Sequence, residues 1–407
     1  MRRAHWVRGT FLLFVIPLAM PPTQSAAVPC TDCQADSALS AGEQLLSSVA
    51  MALAIIPATA CLDVNHDHQV TIDEIIAAVN TAVNGCPQLT PTPTATSSSP
   101  TPTEMPANTA TPTAFWQSLA PLPEARQEVG VAELGGRLYV IGGLVQGADD
   151  APEIVDSVEF YDPSLDAWST AAPLPAPLYD VVAAAAGDHL YAIGGFQSLD
   201  LSAVDTLYAY DPGTDTWASR ATLPMPRGAA SAAVLDGRIY VAGGSRDDTA
   251  VNDFAVYDPD ADTWSMLPPM PTARDHLGAG TINGIFYAVG GERRDAQIGL
   301  LEAYDPTSAT WRQDLHPMPT ARWSVAVAVL GNLLFAMGGQ PNTGSPTGVF
   351  AVTEVYFPDQ DEWQDFPDML TPRQGTAAAA VGDRVVVPGG ATLGDFAPSA
   401  VNEALRP

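Results

Sequence analysis

Residues 137–143, RLYVIGG, and residues 158–163, VEFYDP, with Trp168 seven positions after Tyr161, decide how this chain folds. The first is a short apolar run closed by paired glycines, which reads as a strand. The second alternates and stops at Asp-Pro, where the proline ring fixes φ and a turn begins. The succession returns down the chain. Gly-Gly pairs begin at 142, 194, 243, 290, 338 and 389, preceded by RLYVIGG, HLYAIGG, RIYVAGG, IFYAVGG, LLFAMGG and RVVVPGG. VEFYDP has counterparts in LYAYDP, FAVYDP, LEAYDP and TEVYFP, and Trp217, Trp264, Trp311 and Trp363 stand seven positions past the aromatic residue of each. Paired glycines let backbone pass where a side chain would clash. Tyr and Trp are large plates suited to packing one sheet on the next. A unit of four short strands cannot bury both faces alone, so such units stack radially.

This pattern resembles the kelch repeat over residues 115–407, and the resemblance implies an all-β, six-bladed propeller across 114–407. The sixth unit has GTAAAAVG (375–382), Gly389-Gly390 and VNEALRP (401–407), with Leu405 where Tyr belongs, and its outermost strand is missing. An unmatched FWQSLAPLP (115–123) precedes the first unit and reads like TWASRATLP (216–224). The strand at 115–120 is therefore expected to complete the sixth blade and close the ring, which removes exposed sheet edges.

The 407 residues carry a formal charge of −29, and all 17 basic residues are Arg. That balance excludes a basic nucleic-acid surface and a polybasic membrane anchor as default readings. Residues 1–27 read as a signal peptide. Arg2, Arg3 and Arg8 flank FLLFVIPLAM (11–20), too short to span a bilayer comfortably, and Ser25-Ala26-Ala27 supplies small residues for cleavage. No other segment reads as a membrane span. The expectation is an exported protein, secreted, cell-surface or periplasmic.

Residues 28–88 hold all four cysteines, Cys30, Cys33, Cys61 and Cys86. Export favours disulfides among them, with three connectivities open; a zinc site is the competing reading. Residues 63–74, DVNHDHQVTIDE, place oxygen ligands at Asp63, Asn65, Asp67, the Gln69 carbonyl, Thr71 and Glu74. This resembles an EF-hand loop, and more closely the loop-helix repeats of dockerin-like modules, with His68 where the family has Gly. An upstream copy, DCQADSALSAGE (32–43), offers Asp32, Gln34, Asp36, Ser40 and Glu43. The resemblance implies a small α-helical, calcium-binding tandem module that confers rigidity or docks to a surface partner. Residues 89–113 are Pro/Thr-rich and read as an extended linker.

Within the propeller the residue sixteen before each Gly-Gly is Arg126, Leu178, Arg227, Arg274, Arg322 or Arg373. Beside the central channel, five guanidiniums could hold a carboxylate, sulfate or phosphate. The architectural reading has them ion-paired between blades. On the same face Trp323 could stack on a sugar, His276 beside Asp275 could act as acid or base, and Glu292 could serve a channel reaction. Galactose oxidase-like chemistry is excluded by the absence of cysteine after residue 86. The sequence reads as a non-catalytic, calcium-stabilised binding protein whose propeller face takes a protein or glycan. The alternative is an enzyme acting on an anionic sugar, similar to sialic-acid mutarotases.

Overall fold

The structure, a computed structural model, describes residues 114–407 apart from residue 295. The expected signal peptide, calcium module and linker lie outside the described residues. Those residues build six four-stranded antiparallel sheets. Blade 1 runs outward through Gly130–Leu134, Arg137–Ile141, Val158–Asp162 and Ala167–Ala171. Blades 2 to 5 repeat this order, starting from inner strands Val182–Ala186, Ser231–Leu235, Gly278–Ile282 and Ala326–Leu330. Blade 6 takes Ala379–Val381, Arg384–Pro388 and Asn402–Arg406 from the end of the chain and Phe115–Ser118 from its beginning. The inner strands touch in sequence around the ring, and the sixth touches the first. Among the described residues there is no α-helix, only a 3-10 turn at Ala148–Asp150.

Local chemistry sets these elements. The inner two strands of a blade join through two-residue turns. Asp236-Gly237 and Asn283-Gly284 both hold positive φ, as the tight turn compatible with strand twist requires. The second strand is apolar after its first residue because both its faces are buried there. Leu138 and Val140 pack with Val386 of blade 6, while Tyr139 and Ile141 pack with Leu190 of blade 2. The core is thus six wedges, one per junction between blades. Gly142 and Gly143 show why paired glycines are needed. A Cβ on Gly142 would lie 2.3 Å from the Leu178 carbonyl oxygen of the next blade, and Gly143 stands at φ 104°.

The tryptophans stitch the outer rim. Each indole Nε1 donates to a carbonyl of the preceding blade: Trp168 to Ala120, Trp217 to Ala172, Trp264 to Ala221, Trp311 to Pro268 and Trp363 to His316, at 2.8–2.9 Å. Trp116 closes the cycle by donating to Pro367 at 2.7 Å. Tyr161, Tyr210, Tyr257 and Tyr356 donate to Asp166, Asp215, Asp262 and Asp361. Those aspartates also accept a backbone N–H from the blade before.

Closure is as expected. Phe115–Ser118 pairs antiparallel with the last strand, Trp116 opposite Leu405. Deleting residues 114–120 from the full chain should therefore lower the melting temperature of the whole propeller. Trp116→Ala should lower it by on the order of 10 °C through the lost buried ring and hydrogen bond. Unchanged calorimetric melting in both variants would contradict ring closure.

Candidate functional site

The connection from each outer strand to the next inner strand builds the channel mouth. Its first residue of interest is the arginine position, and here the structure corrects the anion-ring reading. Arg126, Arg227, Arg274, Arg322 and Arg373 are at most 1% exposed and enter the blades, away from the channel. Arg274 donates to Glu302 at 2.9 Å and to the carbonyls of Leu300, Ala288 and Gly290. Arg373 donates to Glu403 at 3.1 Å and to Gly389, Val387 and Val401. Arg126 is held by Glu159 and Arg322 by Glu354. The ion pairs lie within a blade and not between blades. The link between blades is the arginine's own carbonyl. Those of Arg126, Arg227, Arg274, Arg322 and Arg373 accept the N–H of the second glycine of the preceding pair, at 2.8–3.1 Å, and Leu178 does the same in blade 2.

One position further, Gln127, Tyr179, Gly228, Asp275, Trp323 and Gln374 pair by backbone with Leu144, Phe196, Ser245, Glu292, Gln340 and Ala391, the residues after each Gly-Gly. Two positions further come Glu128, Asp180, Ala229, His276, Ser324 and Gly375, all at positive φ between 47° and 61°. Their backbones chain together around the channel. Glu128 N–H donates to Gly375, Asp180 to Glu128, Ala229 to Asp180, His276 to Ala229 and Ser324 to His276, at 2.6–3.1 Å. All six line a cavity of about 130 Å³ at the mouth.

Four of these residues carry polar side chains into that space, and His276 is their hub. Its Nδ1 lies 3.0 Å from Asp275 and 3.7 Å from Glu292, and its Nε2 lies 3.7 Å from Asp180. Burial alone would lower the imidazole pKa, but the Asp180 and Asp275 carboxylates overcome it and hold the ring well above its usual range. Burial and the Asp180 charge push the Glu128 carboxyl well above the carboxylate range, with His276 partly offsetting them. The mouth is therefore acidic, tightly coupled and centred on a protonated imidazole.

The structure thus joins two of the residues expected from sequence, His276 and Glu292, and removes the five arginines from the site. Trp323 is half-buried beside Gln340 and belongs to the same face. Sequence reasoning missed Glu128, Asp180 and Ser324. Their signal was a register, two residues past each arginine position. Among the described residues, Glu128, Asp180 and His276, or Asp275, His276 and Glu292, bring ligand atoms within 4.8 Å of one another. A metal ion at either set would need the neutral imidazole and would compete with the proton that the neighbouring carboxylates favour on His276. The expected calcium ligands at 32–43 and 63–74 lie outside the described residues.

Residues 111–273 match the model of the KLHDC2/KLHL20/DRC7 Kelch-repeats domain. Kelch-like protein 35 of Mus musculus is 39% identical over 83 residues, covering 20% of this chain and 14% of that protein. Kelch-like protein 33 of Homo sapiens is 39% identical over 80 residues, covering 20% of this chain and 14% of that protein. The matches thus span about a seventh of these relatives. The solved structure of YjhT superposes with TM-score 0.59 at 16% identity, over 70% of this chain and 95% of that one. These matches support reading the repeats as kelch repeats and the ring as a kelch β-propeller.

The coupled mouth sets a pH dependence. A histidine whose folded pKa is raised contributes stability that is full below about pH 6.5 and fades as pH rises through the folded value. Glu128, also raised, loses its favourable protonated state in the same direction. Thermal melts across pH should show His276→Ala with a flatter decline above neutrality. Glu128→Gln should melt higher than wild type at alkaline pH. Unaltered profiles in both would refute the coupling.

Proposed function

We propose that this kelch propeller is the binding module of an exported protein, and that the face around the channel mouth engages a protein partner through a cationic group. The observation that supports this is the arrangement of Glu128, Asp180, Asp275 and Glu292 around His276 at a concave mouth. A Lys or Arg side chain would meet the Asp180, Asp275 and Glu292 carboxylates there, whereas an anion would meet repulsion. Interior positions repeat from blade to blade, while the residues flanking the mouth and the loops at 245–252, 292–300 and 340–350 differ in every blade. Specificity carried by loops on a regular scaffold fits recognition of one partner. The kelch matches support a protein partner over a glycan.

The anionic-sugar reading loses the guanidinium ring that motivated it. What remains in its favour is the His276–Asp275 pair at 3.0 Å, which suits proton transfer. Export rests on residues 1–27. A docking or stiffening role for the 28–88 module rests on the DVNHDHQVTIDE loop, with calcium as its ion.

Calorimetric titration of the full chain with Lys/Arg-rich peptides and with neutral and anionic glycans separates these readings. Binding of cationic peptides that weakens with salt and falls at least tenfold in Asp180→Asn is the expected result. Binding of an acidic sugar in its place would favour the enzyme reading. For the module, calcium titration of the full chain should lose its tightest site in Glu74→Gln, which removes a bidentate ligand. Equal stoichiometry and affinity in the variant would overturn that assignment.

A further inference from the structure

Blade 3 departs from blades 1, 4, 5 and 6 at one buried position. In blades 1, 4, 5 and 6 the third strand presents Glu159, Glu302, Glu354 and Glu403, opposite Val140, Ala288, Ala336 and Val387 of the second strand. Each receives the arginine of its blade. In blade 3 the same register, opposite Val241, holds Ala255. The arginine stays. Arg227 is 1% exposed and Ala255 is fully buried.

The nearest carboxylate does not replace the missing one. Asp253 Oδ2 is 3.6 Å from Arg227 Nη1, and the same oxygen accepts from Arg246 Nη1 at 2.9 Å. Two guanidiniums share one carboxylate. Arg227 Nε and Nη1 are buried without a hydrogen-bond partner. The Nε is equally unpartnered in Arg126, Arg274 and Arg322, but the orphaned Nη1 is peculiar to Arg227 among these arginines. Burial lowers its pKa to about 10, so it is still charged at neutral pH. Blade 2 shows how the position is emptied without penalty. Leu178 replaces the arginine, and Tyr208, opposite Ala192, replaces the glutamate. Blade 3 has lost only the acid, and a buried cation with an unfilled donor calls for an anion.

We propose that Arg227 binds a small monovalent anion of the chloride class beside Ala255, where blades 1, 4, 5 and 6 put a carboxylate. The anion takes the orphaned Nη1–H and neutralises the second guanidinium. Arg246 and Asp253, with side chains 26% and 22% exposed, form its route from the loop face. A water molecule could accept the hydrogen bond but would leave the charge. This site is independent of the channel mouth and of the function proposed for it.

The test is ³⁵Cl NMR line broadening with the full chain, beside thermal melts in sodium chloride and sodium fluoride at equal ionic strength. Wild type should broaden the chloride line in excess of the variants and melt about 2–4 °C higher in chloride. Ala255→Glu restores the blade pattern and should abolish both effects while melting at least as high as wild type. The double variant R227L/A255Y copies blade 2 and should abolish them too, so one misfolded variant leaves the other to decide. Undiminished broadening and an undiminished chloride shift in folded Ala255→Glu would overturn the proposal, as would a wild type that does not distinguish the two anions.

Discussion

A guanidinium buried between strands, and the carbonyl of the same residue, hold this ring together. Each arginine sits where one blade hands the chain to the next. In blades 1, 4, 5 and 6 its side chain runs into its own blade, meets a glutamate on the third strand and donates to carbonyls where the ladder is interrupted, such as those of Gly290 and Leu300 for Arg274. Its carbonyl meanwhile accepts the N–H of the second glycine of the blade before. One residue thereby completes two blades. The first glycine of each pair follows from this, because the carbonyl at the next blade's arginine position approaches to where its Cβ would be, and the second glycine likewise faces the carbonyl one residue past the arginine position of its own blade. So does the mouth, because the chain must then reverse through a left-handed residue to begin the next inner strand.

Such ion pairs should not be read as a simple gain in stability. Removing both charges from water costs several kcal/mol per ion, and the attraction repays this only with good geometry and extra hydrogen bonds. Those bonds are present in blades 1, 4, 5 and 6, where three or more acceptors surround each guanidinium. Blade 2 dispenses with the pair and packs Leu178 in the apolar junction with blade 1. The two solutions coexist in one ring, so the arginines contribute registry as much as energy. They fix where the interblade connection enters the sheet, and through it the height of the mouth residues.

Much of this was legible in the sequence. The Gly-Gly spacing, the Tyr and Trp positions and the unmatched FWQS strand specify blades, junctions and closure, because each depends on a bulky or absent side chain that must recur. The direction of the arginines was not legible. Period-two alternation puts residues 126 and 128, or 274 and 276, on one side of an extended chain. The left-handed φ at Glu128 and His276 breaks that alternation, so the arginine enters the blade while the residue two later enters the channel. Glu159, Glu302, Glu354 and Glu403 stand two residues before Tyr or Leu405, a repeat that identifies the buried partners once the arginines are known to need them.

The same break in alternation separates scaffold from site. Positions that face the blades are confined to a few residue types, because their volume and charge are matched by the neighbouring strand. Positions on the mouth are confined only by backbone. Glu128, Asp180, Ala229, His276, Ser324 and Gly375 share one conformation and have six different side chains. A ring of identical backbone with unrelated side chains lets each blade contribute a different group at the same height. Two acids and one imidazole brought from blades 1, 2 and 4 to a common cavity are what that freedom allows. Left-handed φ costs a non-glycine residue free energy. Five of the six accept it, which places the strain of the fold where its surface chemistry is concentrated.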